Sequence, residues 1–164
     1  YKYCYRVAST VGLVCIEIYD YDDPKAAEYA ESWGIFMQMT NILRDVSEDA
    51  GRNRVYLPLD DLERHGIKPS ELSGDLANDK RWHAFSSEFI GKIESYHEKA
   101  RKLLPLLNRK ARYSPAAMMA FYGSILKKIK KSDGNIFHGQ VKLSKVEKVT
   151  LAAAIYAKQR FFRL

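Results

Sequence analysis

The 164 residues are 46% hydrophobic and 29% charged, a balance that suits one domain with a packed core and excludes a disordered polar tract. A formal charge of +7 favours anionic partners, and nucleic acid, phospholipid head groups or a diphosphate would each satisfy it. No uncharged apolar run reaches the roughly 18 residues a membrane-spanning helix needs, because even Val11 to Ile18 is broken by Glu17.

Tyr1 opens the sequence inside a periodic apolar pattern with no cap before it, so the expectation is a chain that begins within a helix of a longer protein. Apolar residues recur at helical spacing from Tyr3 to Ile18. The small residues Ala8, Ser9 and Gly12 on that stretch would let a helix or a ligand approach closely. Asp20 to Pro24 is turn chemistry, with Asp23 as N-cap and Pro24 in the first helical position. The spacing predicts a second helix from Lys25 to Val46 or a little beyond. A loop is expected over Asp49 to Leu59, where Gly51, Asn53 and Pro58 fall.

A short helix over Leu59 to Arg64 should stop at a left-handed Gly66. Single turns then lead to a long amphipathic helix from Asp79 to Leu107, bent at Pro105 in its last turn. Ser114 and Pro115 begin another helix, which Asp133-Gly134-Asn135 ends, and a last helix is predicted over Ser144 to Phe161. Period-two alternation persists nowhere, so residues 1–164 read as a single all-α domain.

The chemistry-bearing residues concentrate on the second helix. Gln38, Asn41, Asp45, Glu48 and Asp49 follow steps of three and four and share a face, beside an apolar seam of Ile35, Met39, Ile42, Leu43 and Val46. Two like-charged carboxylates one turn apart repel by a few tenths of a kcal/mol. A hard cation such as Mg²⁺ converts that repulsion into coordination and bridges naturally to phosphate. Asp-x-x-x-Asp is nevertheless common by chance, and the second instance, Asp75 and Asp79, reads as capping or surface charge. Cys4 and Cys15 lack a Cys-x-x-Cys or Cys/His partner set and read as reduced core residues.

The run from Gln38 through Asn41, Asp45 and Asp49, followed by Arg54-Val-Tyr-Leu-Pro58, resembles the second aspartate-rich motif of the squalene/phytoene synthase family. Tyr3-Cys-Tyr-Arg-Val-Ala-Ser-Thr-Val-Gly12 resembles the signature helix of the same family. The likeness covers most of the chain and is most specific over residues 3 to 66. It implies an all-α helical bundle of the isoprenoid synthase type, of which this chain would be the C-terminal portion.

It also implies a prenyltransferase that joins two prenyl diphosphates, farnesyl or geranylgeranyl, head to head through a cyclopropyl diphosphate. Asp45, Asp49 and Asn41 would hold Mg²⁺ with Gln38 alongside, and Tyr56 would sit near them. Tyr3 would face carbocation charge, Val11 and Cys15 would line the prenyl channel, and Tyr122 would lie near the diphosphate. NADPH is implied only for a squalene product. Two departures stand out: the first aspartate-rich motif of the family would precede Tyr3, and Phe137-His-Gly-Gln140 offers a neutral Gln140 where many relatives carry phosphate-binding arginines. A chain lacking that first motif is expected to bind metal and diphosphate weakly and not to turn over alone.

The rival readings are a non-catalytic scaffold or assembly factor of the same fold and a basic surface module. Lys127, Lys128, Lys130, Lys131, Lys142, Lys145, Lys148, Arg160 and Arg163 form a solvated face or attract anionic membrane, so a cytoplasmic protein with peripheral membrane contact is expected. No recognition-helix or RNA-binding motif supports nucleic acid. Substrate chain length, product and oligomeric state stay open.

Overall fold

The computed structural model describes residues 1–139 and 141–161, and every regular element among them is helical; one isolated antiparallel bridge joins Tyr21 to Leu107. Helix α1 is built from three abutting stretches: Lys2–Cys4, a π-helical Tyr5–Ser9, and Thr10–Tyr19. The widened turn departs from the uniform α-helix expected of this stretch. It coincides with the closest approach of the next helix, where tertiary contact overrides local preference. A Cβ on Gly34 would lie 2.5 Å from Ser9 Cα, and one on Gly12 would lie 3.0 Å from the Ala30 carbonyl oxygen. Ser9 Oγ, fully buried, donates to the Glu31 carbonyl at 2.9 Å and fixes the crossing.

Asp20 ends α1 with a φ of 61°. Helix α2 spans Lys25–Arg44, and Asp23 Oδ1 accepts from the Lys25 N–H at 2.8 Å, the predicted cap. The helix does not continue through Val46 as expected. Asp45 turns out of helical geometry (φ −103°, ψ 9°), and a separate α3 runs Val46–Gly51. The hydrogen-bond ladder persists across the break: Asp45 N–H donates to the Asn41 carbonyl and Asp49 N–H to the Asp45 carbonyl. The expected loop therefore starts later than Asp49. Gly51 is tolerated in a last turn, and the stop comes from Asn53, whose φ of 56° is left-handed.

Helix α4 occupies Leu59–Arg64 and ends at Gly66 (φ +67°), as predicted. Helix α5 covers Lys80–Ala100 after an Asp79 cap on the Arg81 N–H. It was expected to reach Leu107 but stops at Ala100. Proline cannot donate to a helical ladder, so Leu104–Leu106 forms a 3₁₀ turn that directs Leu103 and Leu107 fully into the core. Helices α6, Tyr113–Lys131, and α7, Lys145–Phe161, complete the chain. Gly134 follows α6 with φ +74°; a Cβ there would meet Ser86 Oγ at 2.3 Å, and its carbonyl accepts from Trp82 Nε1 at 2.9 Å.

Helix α2 is central, with α1 and α5 packed against it and α6 nearby. Phe36, Ile35 and Leu43 meet Trp82, Phe85, Phe89 and Ile93 in the core. Burying each such side chain contributes about 1.5–3 kcal/mol. No helix among the described residues is long and apolar enough to cross a membrane.

Candidate active site

The crossing of α1 and α2 leaves a cavity of about 260 Å³. Val11 and Cys15 from α1 line it, with Gln38 and Asn41 from α2 and Met118 from α6. Cys15 is therefore only half-buried, a correction to its reading as core; Cys4 is buried. Among the described residues, two buried side-chain polar atoms have no hydrogen-bond partner, Asn41 Oδ1 and Trp33 Nε1, and both residues line this cavity. Orphaned buried atoms of this kind ask for a ligand, water or ion. Trp33 and Gly34 escaped the sequence reading; in a sequence a Trp and a Gly within an apolar helix look like packing.

At the α2/α3 break the carboxylates diverge. Asp45 and Glu48 border a groove lined also by Arg44, Ile125, Lys142 and Lys148, whereas Asp49 faces Val46, Arg54 and Tyr56. Arg44 forks onto Asp45, Nε to Oδ1 at 2.7 Å and Nη2 to Oδ2 at 2.6 Å. Hydrogen bonding to Asp45 raises the Arg44 pKa and keeps the guanidinium charged. Glu48 pairs with Arg52 at 2.7 Å. Burial, followed by the charges of Asp45 and Glu48, raises the Asp49 pKa above its ordinary value.

Tyr3 stacks on Tyr56, ring centroids 5.0 Å apart and planes 22° from parallel, so the two predicted tyrosines meet beside Asp49. Partial desolvation and Tyr56 push the Tyr3 phenol up, leaving a neutral π face at ordinary pH. Tyr122 sits with its ring edge on Phe36, centroids 6.3 Å apart, and close enough to Arg44 to influence its charge. Lys142 and Lys148, read from sequence as part of a solvated face, are exposed and also line the Asp45 groove, a placement their distance in sequence hid. Gln140 lies outside the described residues.

By type the donors suit a hard cation, but they border three separate recesses: Asn41 the apolar cavity, Asp45 the basic groove and Asp49 the Tyr56 side. Asn41 supplies an unpartnered carbonyl oxygen, Asp45 and Asp49 supply carboxylates, and the like charges that raise Asp49 would be relieved by a divalent ion. No cluster of three His, Cys, Asp or Glu exists among the described residues, so such an ion would keep waters or phosphate oxygens. Arg44 holds both Asp45 oxygens and would have to yield one.

An apolar cavity with Gln38 and Asn41 on its wall, and the carboxylates of Asp45, Glu48 and Asp49 in neighbouring recesses of the same helical bundle, define the class as an all-α protein with a ligand-sized hollow between its helices. The squalene/phytoene synthase family model matches residues 1–147, and the chain belongs to that family. It is 35% identical to the chloroplastic phytoene synthase of an Oncidium hybrid cultivar, over 96% of this chain and 40% of that one. It is 38% identical to the 15-cis-phytoene synthase of Synechocystis, over 83% of this chain and 44% of that one. A ligand-bound dehydrosqualene synthase superposes with a TM-score of 0.83 at 28% identity, covering 97% of this chain and 56% of the other. The helical bundle is thus the isoprenoid synthase fold expected, and the chain spans under half the length of these phytoene synthases.

Proposed function

We propose that this chain forms the diphosphate-binding pole and part of the prenyl channel of an enzyme that condenses two prenyl diphosphates head to head, through a cyclopropyl diphosphate, to a squalene- or phytoene-type product. The observation that carries the reading is the buried, unpartnered Asn41 Oδ1 on the wall of an apolar cavity, one turn before Asp45. Family membership and the phytoene synthase relatives support it.

Asn41, Asp45 and Asp49 would hold Mg²⁺, which when bound supplies Lewis-acid charge neutralisation to the departing diphosphate. Arg44, Lys142 and Lys148 stand beside Asp45 to neutralise phosphate oxygens, a task the neutral Gln140 cannot perform. Gln38 donates or accepts at the channel mouth. Val11, Cys15 and Met118 exclude water from the hydrocarbon, which protects an allylic cation from quenching. The stacked Tyr3–Tyr56 pair borders a separate recess with Met39, Ile42 and Phe89, and its π face would meet that positive charge only where the substrate reaches this recess. A product of this kind is a hydrocarbon, and peripheral contact with anionic membrane through the basic C-terminal helices fits its delivery. NADPH belongs to the reaction only where the product is squalene.

Diphosphate release from farnesyl and geranylgeranyl diphosphate by the full-length protein, with and without Mg²⁺, tests the proposal. Asp45→Asn should lower the rate by about two to three orders of magnitude, because several kcal/mol of charge stabilisation is lost. A folded full-length protein that releases diphosphate from neither substrate points instead to the scaffold reading, which the Arg44 fork on Asp45 would then explain.

A further inference from the structure

Helix α6 separates two recesses. Pro115 and Met118 face the prenyl cavity, while Met119, Ala120 and Gly123 line a second groove of about 770 Å³ between α5, α6 and α7. The groove exists because α6 presents small residues there; a Cβ on Gly123 would already touch the His97 ring at 3.5 Å. Its floor is apolar, closed by Leu104, Pro105 and Ile155. Its rim is cationic, with Arg101, Arg112, Lys127 and Lys158, and no Asp or Glu lines it.

These charges are poorly compensated within the chain. Arg112 spends its hydrogen bonds on the neutral carbonyls of Leu107 and Pro105, both at 2.7 Å. Arg101 reaches Glu98 only at 3.4 Å between two exposed side chains. The imbalance extends to the whole C-terminal part: residues 99–164 hold sixteen Lys/Arg and two Asp/Glu, a formal +14, against −7 for residues 1–98. Such a division of charge between two parts of one chain is the sequence mark of an anionic surface partner.

We propose that this groove binds the phosphate head and adjoining hydrocarbon of an anionic membrane lipid. Charge complementarity selects the head, and the apolar floor selects a ligand that carries a chain next to its phosphate. Helix α7 also exposes Val146, Val149 and Tyr156 beside Lys145, the pattern of a helix that lies in a headgroup layer. An acidic peptide would use the rim and leave both apolar features without purpose. The site stands apart from the Asp45 chemistry and does not depend on it.

Vesicle flotation of the full chain, with phosphatidylcholine alone or mixed with phosphatidic acid, tests this. Binding is expected only to the mixed vesicles. The pair Lys127→Gln and Lys158→Gln should weaken it about tenfold or more through lost attraction to the charged surface. Ala120→Trp, which fills the groove at unchanged charge, should weaken it similarly, with helical circular dichroism confirming the fold; if that variant loses its helix signal, Ser124→Phe at the half-exposed rim takes its place. Wild-type binding by the groove-filling variant would show diffuse surface attraction and overturn the site. Equal or tighter binding of polyglutamate, lost in the same groove-filling variant, would overturn the lipid as occupant.

Discussion

Asn41 and Trp33 each hold a buried polar atom without a partner, and a structure keeps such atoms where a ligand will use them. Leaving one unmatched costs roughly 1–3 kcal/mol. Asn41→Leu should therefore stabilise the ligand-free chain by about 1 kcal/mol in urea unfolding. The same change should weaken Mg²⁺-dependent binding of inorganic diphosphate, read by calorimetry. A variant that loses stability and keeps diphosphate affinity would remove Asn41 from the site.

His97 makes a second argument at this scale. It stacks on Phe36 with centroids 4.5 Å apart, and burial, reinforced by Arg101, lowers its pKa from 6.5. A lowered value means that the unfolded chain takes the proton first as pH falls. Its stabilising contribution is thus complete above about pH 6.5 and declines as pH drops from there through the lower folded value. His97→Phe keeps the stack and should flatten the fall in melting temperature across that window.

At the scale of elements, the contact between α1 and α2 builds the cavity, and it depends on the absence of a side chain at Gly34. Gly34→Ala would press a methyl against the Ser9 backbone, which cannot swing aside, and should cost about 3 kcal/mol in denaturant unfolding. Gly91 is the internal comparison. It lies within α5 with nothing inside 4 Å of a Cβ, so Gly91→Ala should stabilise by about 0.5–1 kcal/mol. Equal effects of the two substitutions would refute the close-packing account.

The extents of α4 and α7 and the caps at Asp23 and Asp79 were legible in the sequence because each depends on residues within a few positions. Of the row read as one face from Gln38 to Asp49, Gln38 and Asn41 do share a cavity wall, whereas Asp45 and Glu48 turn to a second recess and Asp49 to a third. The π turn in α1, the break at Asp45 and the early end of α5 were not legible. The first and last are set by what packs against them, Gly34 on Ser9 and Leu103 and Leu107 drawn into the core, while the break at Asp45 accompanies a fork from its own neighbour Arg44 that no periodicity encodes. The placement of Lys142 and Lys148 beside Asp45 is a long-range fact of the same kind, and no periodicity encodes it.

On the scale of the molecule, the cavity is walled by α1, α2 and the start of α6, with Gln38 and Asn41 as its polar side, but remains open. Val7 and Val11, which line it, are 44% and 58% exposed, and Val14 and Ile18 continue the same exposed apolar row along α1. Prenyl chemistry needs water kept away from an allylic cation, since hydroxide capture competes with attack by a second double bond. The phytoene synthase relatives are longer than this chain, which spans 40% of the Oncidium protein. The 164 residues alone should accordingly bind Mg²⁺ and diphosphate weakly and form no condensed C30 or C40 hydrocarbon, whereas the full-length protein should form one. Product extraction after incubation of each with farnesyl or geranylgeranyl diphosphate decides the matter. Condensed product from the isolated chain would mean that α1, α2 and α6 shield the cation without further cover, and the channel would then have to close by a movement of α1 toward α6.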